Sequence, residues 1–149
     1  MRNLFLAMAI LSLPLTASGK GVVTQVTAAN LGFSAAQSIN GTPVSNGIHM
    51  DGNAGFVDKV TLLLTIVWGT TALLDITAEV SWDNTNWYDV MRCTSAATHD
   101  CAPRKWQYDP TDGTTPTLEW ETGAKYIRFT FDDPGTGNGT VIASAVMGQ

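Results

Sequence analysis

The sequence predicts an all-β fold, an antiparallel β-sandwich of jelly-roll type, and three observations carry that prediction. Residues 72–91 read as two strands joined by a polar turn. Residues 125–132 alternate apolar and polar side chains with a period of two. Gly, Pro, Asn and Asp punctuate the chain at short intervals, and beyond residue 20 no segment shows the apolar spacing of an amphipathic helix. A chain of 149 residues suits one domain with a substantial core. It divides into an apolar N-terminal segment, residues 1–20, and a sandwich domain, residues 21–149.

In chain order, the first segment carries Arg2 at its head, then the apolar side chains Leu4, Phe5, Leu6, Ile10, Leu11 and Leu13, then the small residues Ala17, Ser18 and Gly19. That is the outline of a secretory signal peptide, and it is too short for a membrane span, which needs about 20 apolar residues. Either it is cut on export, or it is retained as a packing arm. A retained arm has to be buried, because each exposed Leu or Ile forfeits roughly 1.5–3 kcal/mol, and a neighbouring subunit is the place for it.

Residues 21–27, rich in β-branched side chains, read as a first strand at a sheet edge or as an extended arm. Residues 35–39 and 48–50 are short strands between turns. Residues 57–68 are almost wholly apolar beyond Lys59, so they are expected to form a central strand buried on both faces. In the next strand Leu74, Ile76, Ala78, Val80 and Trp82 form an inward row, with Asp75, Thr77, Glu79 and Ser81 in water. Asp83, Asn84, Thr85 and Asn86 supply turn residues, because Asn and Asp bond nearby backbone and tolerate a left-handed conformation. Residues 86–91 resume as a strand.

Residues 102–117 hold three prolines and form a long loop with at most a short strand at Lys105–Tyr108. Residues 118–121 and 125–132 are strands, the second with Ile127, Phe129 and Phe131 on one face. Residues 133–139 are expected to be a flexible hairpin turn, and residues 140–147 the last strand.

Cys93 and Cys101 enclose a short segment after the central hairpin. Three states suit that spacing: a loop-closing disulfide, which favours an oxidising setting, free thiols, or a metal site completed by His99 and Asp100. Structural zinc takes four protein ligands, and the chain has no second Cys/His pair, so no metal is expected.

The segment Val80, Ser81, Trp82, Asp83, Asn84, Thr85, Asn86, Trp87, Tyr88, Asp89, Val90 resembles the S-x-D-G-x-x-W hairpin of jelly-roll virion proteins from tailed bacteriophages. The same hairpin occurs in discoidin-like and carbohydrate-binding sandwiches. Asn84 stands where those families carry Gly, a substitution that positive φ tolerates. The run from Gly123 through Lys125, Tyr126, Ile127 and Arg128 to Phe129 is similar to a strand of the same domains. The resemblance covers about a third of the chain and marks a fold more than a function. It implies a noncatalytic structural protein located in the virion, decorating or cementing the capsid or sitting at the neck or tail. Its partners would be other virion proteins and further copies of itself, with a trimer as the family expectation. The alternative it leaves open is a secreted module that binds a surface glycan.

Charge and motif patterns agree with a protein that works by contact. Charged residues make up only 14% of the chain, against about a quarter or more of an ordinary soluble surface, so partners are expected to cover part of it. A net charge of −5 without a Lys/Arg cluster excludes a phosphate-tracking nucleic-acid interface. Glu119 and Glu121 flank Trp120 on the water-facing side of a strand, which is not an acid/base pair. His49 and His99 have no nucleophile motif, and no cofactor signature is present, so an enzyme is not expected. The glycine run 135–139 lacks a helix N-terminus to hold a phosphate. Asp109 with Asp112, and Asp132 with Asp133, are solvated turn carboxylates or, less simply, calcium ligands.

The binding candidate is the loop with Arg104, Lys105, Trp106 and Tyr108, two cations and two aromatics among prolines, joined by Trp87 and Tyr88 from the hairpin. Trp, Tyr and Arg are the residue types enriched in interface hot spots, and the same rings can stack on a sugar. Alternatively Trp106 seals an open end of the sandwich. Trp68, Trp82 and Trp120 are expected in the core or against the sheets.

Overall fold

The computed structural model describes residues 24–52, 55–56, 59–95 and 100–148. The N-terminal arm residues and His99 lie outside these. Two antiparallel sheets face each other. In the first, β14 (Thr140–Gly148) and β6 (Lys59–Val67) are central, and β12 (Thr117–Glu121) is the edge beside β6. Along the other side of β14 lie β1 (Thr24–Val26) and β2 (Gln37–Ser38) in tandem. In the second sheet, β7 (Leu74–Ser81) and β13 (Tyr126–Asp132) are central, with β3 (Ile48–His49) outside β13. The far edge of β7 is covered by β8 (Tyr88–Asp89) and β11 (Lys105–Tyr108). A small hairpin, β4 (Asp51–Gly52) with β5 (Gly55–Phe56), precedes β6. The all-β sandwich read from the sequence is the observed fold.

The core lies where the two inward rows meet. Val60, Leu62, Leu64 and Ile66 from β6 and Val141, Ala143, Ala145 and Met147 from β14 oppose Leu74, Ile76 and Ala78 of β7 and Ile127, Phe129 and Phe131 of β13. Phe33 meets Phe131 edge to face at 5.2 Å. Side chains of this size contribute about 1.5–3 kcal/mol each on full burial.

Four expectations need correction. β6 is not buried on both faces: Leu63 is 38% and Val67 63% exposed, because nothing among the described residues covers the outer face of the first sheet. Trp82 is 68% exposed, since β7 ends at Ser81 and the inward row ends with it. Asp75 and Ser81, assigned to water, are only 3% and 1% exposed, Asp75 beneath Lys105 and Gln107 and Ser81 with its hydroxyl inside the following turn. Residues 133–139 are not a hairpin turn, because β13 and β14 belong to different sheets.

That last loop is held by its own polar groups. Asp133 accepts from the N–H of Gly135 at 2.8 Å, and from the N–H of Gly137 and the Thr71 hydroxyl at 2.9 and 3.0 Å. The Thr71 hydroxyl in turn accepts from Gly139 N–H at 2.9 Å. Burying Thr71 and Asp133 is tolerable because these bonds replace water. The polar turn after β7 is built similarly. Asn84 takes φ +60°, Ser81 Oγ accepts from the N–H of Asp83 and Asn84, and Asp83 accepts from the N–H of Thr85 and Asn86.

Candidate binding site

The edge strand beside β7 is interrupted by an insertion. Val90 N–H donates to Ala78 O at 3.0 Å, and Lys105 stands opposite Thr77, the next residue of β7. Residues 91–104 therefore leave the sheet between two adjacent pairing positions. Among the described residues of this insertion, β9 (Met91–Ser95) and β10 (Asp100–Pro103) pair antiparallel as a separate two-stranded sheet, the inserted hairpin. Arg104 N–H closes its neck on Val90 O at 2.7 Å. Cys93 and Cys101 face each other across the hairpin and are joined in a disulfide, with Cα atoms 4.0 Å apart. That is the short spacing of a non-hydrogen-bonded antiparallel pair.

Alternation along β11 separates the candidate residues that follow. Trp106 and Tyr108 pair with Ile76 and Leu74 and so share the inner face; Lys105 and Gln107 point outward. Lys105 Nζ and Gln107 Nε2 each lie 2.9 Å from an Asp75 oxygen. The bond to Asp75 raises the Lys105 pKa above its ordinary value. Tyr108 donates its hydroxyl to Thr117 O at 3.1 Å, and burial raises its pKa. Trp87 lies elsewhere, under the Arg128 guanidinium at 4.4 Å, and Arg128 is itself held in a two-point ion pair with Glu79. Tyr88, opposite Val80, is 63% exposed.

Arg104 and Trp106 instead meet a residue that had been assigned to the core. Trp106 contacts Trp120 of β12 edge to face, with ring centres 4.9 Å apart. The Arg104 guanidinium lies over both rings, 4.6 Å from the centre of Trp120 and 4.9 Å from that of Trp106. Each such contact is worth about 0.5–1 kcal/mol at an exposed site. The two indoles seal the open side of the sandwich between β12 and β11, and Arg104 caps the seal.

Arg104 and Trp120 form a ridge between two clefts. One, of about 410 Å³, is bordered by Lys59, Glu119 and Glu121, with Lys59 and Glu119 paired at 2.7 Å. The other, of about 450 Å³, is bordered by Val90, Met91 and Arg92. Arg92 and Arg104 have no carboxylate partner among the described residues. The Nε1–H of Trp120 is buried without a hydrogen-bond partner, alone in this among the described residues. No protein family, curated protein or solved structure matches the chain.

The arrangement offers donors, positive charge and apolar wall; it offers no nucleophile–base pair. Among the described residues no group of three or more His, Cys, Asp or Glu is placed to hold a metal ion. The oxygens of Asp133 are occupied by Thr71, Gly135 and Gly137, and Asp109 and Asp112 cap one another's turn. Sequence reading missed Trp120, Met91 and Arg92 as site residues. The available signal was weak: three of the chain's eight Lys and Arg residues, Arg92, Arg104 and Lys105, fall between residues 92 and 105, too spread to form a cluster.

Proposed function

We propose that this chain is a noncatalytic structural protein of a phage particle that works by burying its outer sheet face against other subunits. The observation that carries this reading is the outer face of the first sheet. There Leu63 and Val67 stand exposed beside Thr61, Thr65, Ile142 and Val146, and the charged side chains of β6 and β12 on this face, Lys59, Glu119 and Glu121, gather at one end. Exposed apolar side chains gathered on one sheet face suit a contact surface, and subunit interfaces are depleted of charge at their centre. The hairpin resemblance at residues 80–90 and the low overall charge point the same way.

The test is to raise an antibody against the chain and probe gradient-purified phage particles from the source culture. The chain is expected to co-sediment with particles and to be labelled on them. A chain absent from particles and recovered as free, N-terminally processed protein would overturn the reading.

A second reading, an exported glycan-binding module, is favoured by one observation. Trp82 and Tyr88 are 68% and 63% exposed, as ring faces that stack on sugars must be. Binding to a glycan array that is lost with Trp82→Ala would support it.

A further inference from the structure

We infer that the cleft beside Arg104 and Trp120 binds an extended acidic segment of a partner protein. Its carboxylate would seat on the Arg104 and Arg92 guanidinium groups. The inference rests on the particle reading only in taking the partner to be a protein.

Charge complementarity selects an acidic ligand. Lys59, Lys105 and Arg128 have carboxylate partners; Lys125, over the Tyr126 ring, and Arg92 and Arg104 have none among the described residues, and the two arginines border the same cleft. Both lie on the inserted hairpin and its neck, in a chain whose net charge is −5. An arginine fork matches a carboxylate through two parallel hydrogen bonds, and stacking on Trp106 and Trp120 fixes the plane of Arg104 beforehand.

The walls select a peptide. Met91, 48% exposed, and Val90 offer apolar contact beside the cations. Trp, Met and Arg together are the residue types that dominate protein interfaces. β12 is an edge strand with an open side. Leu64 N–H and Ile66 N–H donate to Pro116 O and Thr114 O, so the residues of β12 that bond to β6 are Leu118 and Trp120. The backbone N–H and C=O of Glu119 therefore face the open edge, where an added strand would pair. A sugar is the poorer occupant, because the ring faces it would stack on are covered by Arg104. The acidic end of the ridge, at Glu119 and Glu121, sets direction: the ligand carboxylate belongs on the hairpin side.

The experiment titrates the intact chain with a short acetylated, amidated peptide of Val and Thr that carries Glu at one end only. Binding is followed by the Trp120 Nε1–H resonance and by intrinsic fluorescence. We expect saturable binding that weakens with salt and falls about tenfold with Arg104→Ala and several-fold with Arg92→Ala. Arg104→Lys should recover part of the loss. Arg92, exposed on the hairpin, provides the variant that cannot fail by unfolding the sandwich. No response to the peptide overturns the inference, as does binding unchanged in both alanine variants. Tighter binding of an oligogalacturonate than of the peptide would make the cleft a polysaccharide site and overturn it equally. A chain found on particles that ignores the peptide would refute this inference alone; a chain that binds the peptide but is absent from particles would refute the particle reading alone.

Discussion

Arg104, at the neck of the inserted hairpin and outside both sheets, caps Trp120 on the edge of the first sheet: the guanidinium sits 4.6 Å from the ring centre. The contact ties the insertion to the sandwich with no hydrogen bond from the guanidinium among the described residues. Two stacked contacts at about 0.5–1 kcal/mol each predict that Arg104→Ala lowers unfolding free energy by about 1–2 kcal/mol, and that Arg104→Lys loses less. Denaturant titration measures it; an unchanged midpoint would mean that the stacking contributes nothing in solution.

Adjacent residues of β6 should differ sharply. Leu62 is fully buried, so Leu62→Ala is expected to cost about 2–5 kcal/mol. Leu63 faces outward, and Leu63→Ala in dilute solution should stay within about 0.5 kcal/mol. Equal costs would show the outer face to be covered even in the isolated chain.

The disulfide closes a loop over a separation of eight residues, for which chain entropy gives about 2.5 kcal/mol. Because residues 91–104 lie outside both sheets, that loss should stay local. In Cys93→Ser/Cys101→Ser, hydrogen exchange should rise across the hairpin while β6, β7, β13 and β14 keep their protection. Loss of protection throughout would contradict a separable insertion.

Gly137 has no room for a side chain: an added Cβ would collide with Thr71 and with the carboxylate of Asp133. Gly137→Ala should therefore cost about 1–3 kcal/mol, by overpacking and by disturbing the Asp133 bonds. Gly123, with nothing near its would-be Cβ, is the control, and Gly123→Ala should be neutral to slightly stabilising. Thermal unfolding of the two variants gives the comparison.

Asp83 is held well below its ordinary pKa of 3.8 by the backbone N–H groups of Asn86 and Thr85 and the side chain of Asn86. A depressed folded pKa means that its stabilisation is full above the unfolded value and is lost as pH falls below about 4 toward the folded one. The wild type should lose stability in that acid window more steeply than Asp83→Asn. A carboxyl titration by NMR with its midpoint at or above 3.8 would contradict the geometry.

Much of this was legible in the sequence because alternation is a local property. The inward rows of β7 and β13 could be read directly, and so could the turn at residues 82–87, whose Asn84 takes the positive φ expected of it. Local patterns misled wherever the answer depended on what lies across a gap. The apolar run of β6 suggested burial on both faces, though Thr61 and Thr65 already marked one face as outward. The glycine run at 135–139 looked like a hairpin because nothing local says that the strands on either side belong to different sheets. Of the proposed site, Arg104 and Trp106 were visible by residue type. Trp120 was read as core, which its 9% exposure supports, and its place under Arg104 depends on the facing of two edge strands.

The sequence by itself determined the fold class, the apolar rows of β7 and β13 up to Ala78 and Phe131, and the turn at residues 83–86, since backbone sterics and side-chain periodicity act over a few residues. Only the tertiary structure decided which strands became edges and where residues 91–104 leave the sheet. It also decided that Arg104 and Trp106, from beside β7, would meet Trp120 of the facing sheet and close the side of the sandwich. Those outcomes depend on pairing between distant segments, for which many local patterns serve equally well and one packed arrangement satisfies the whole chain.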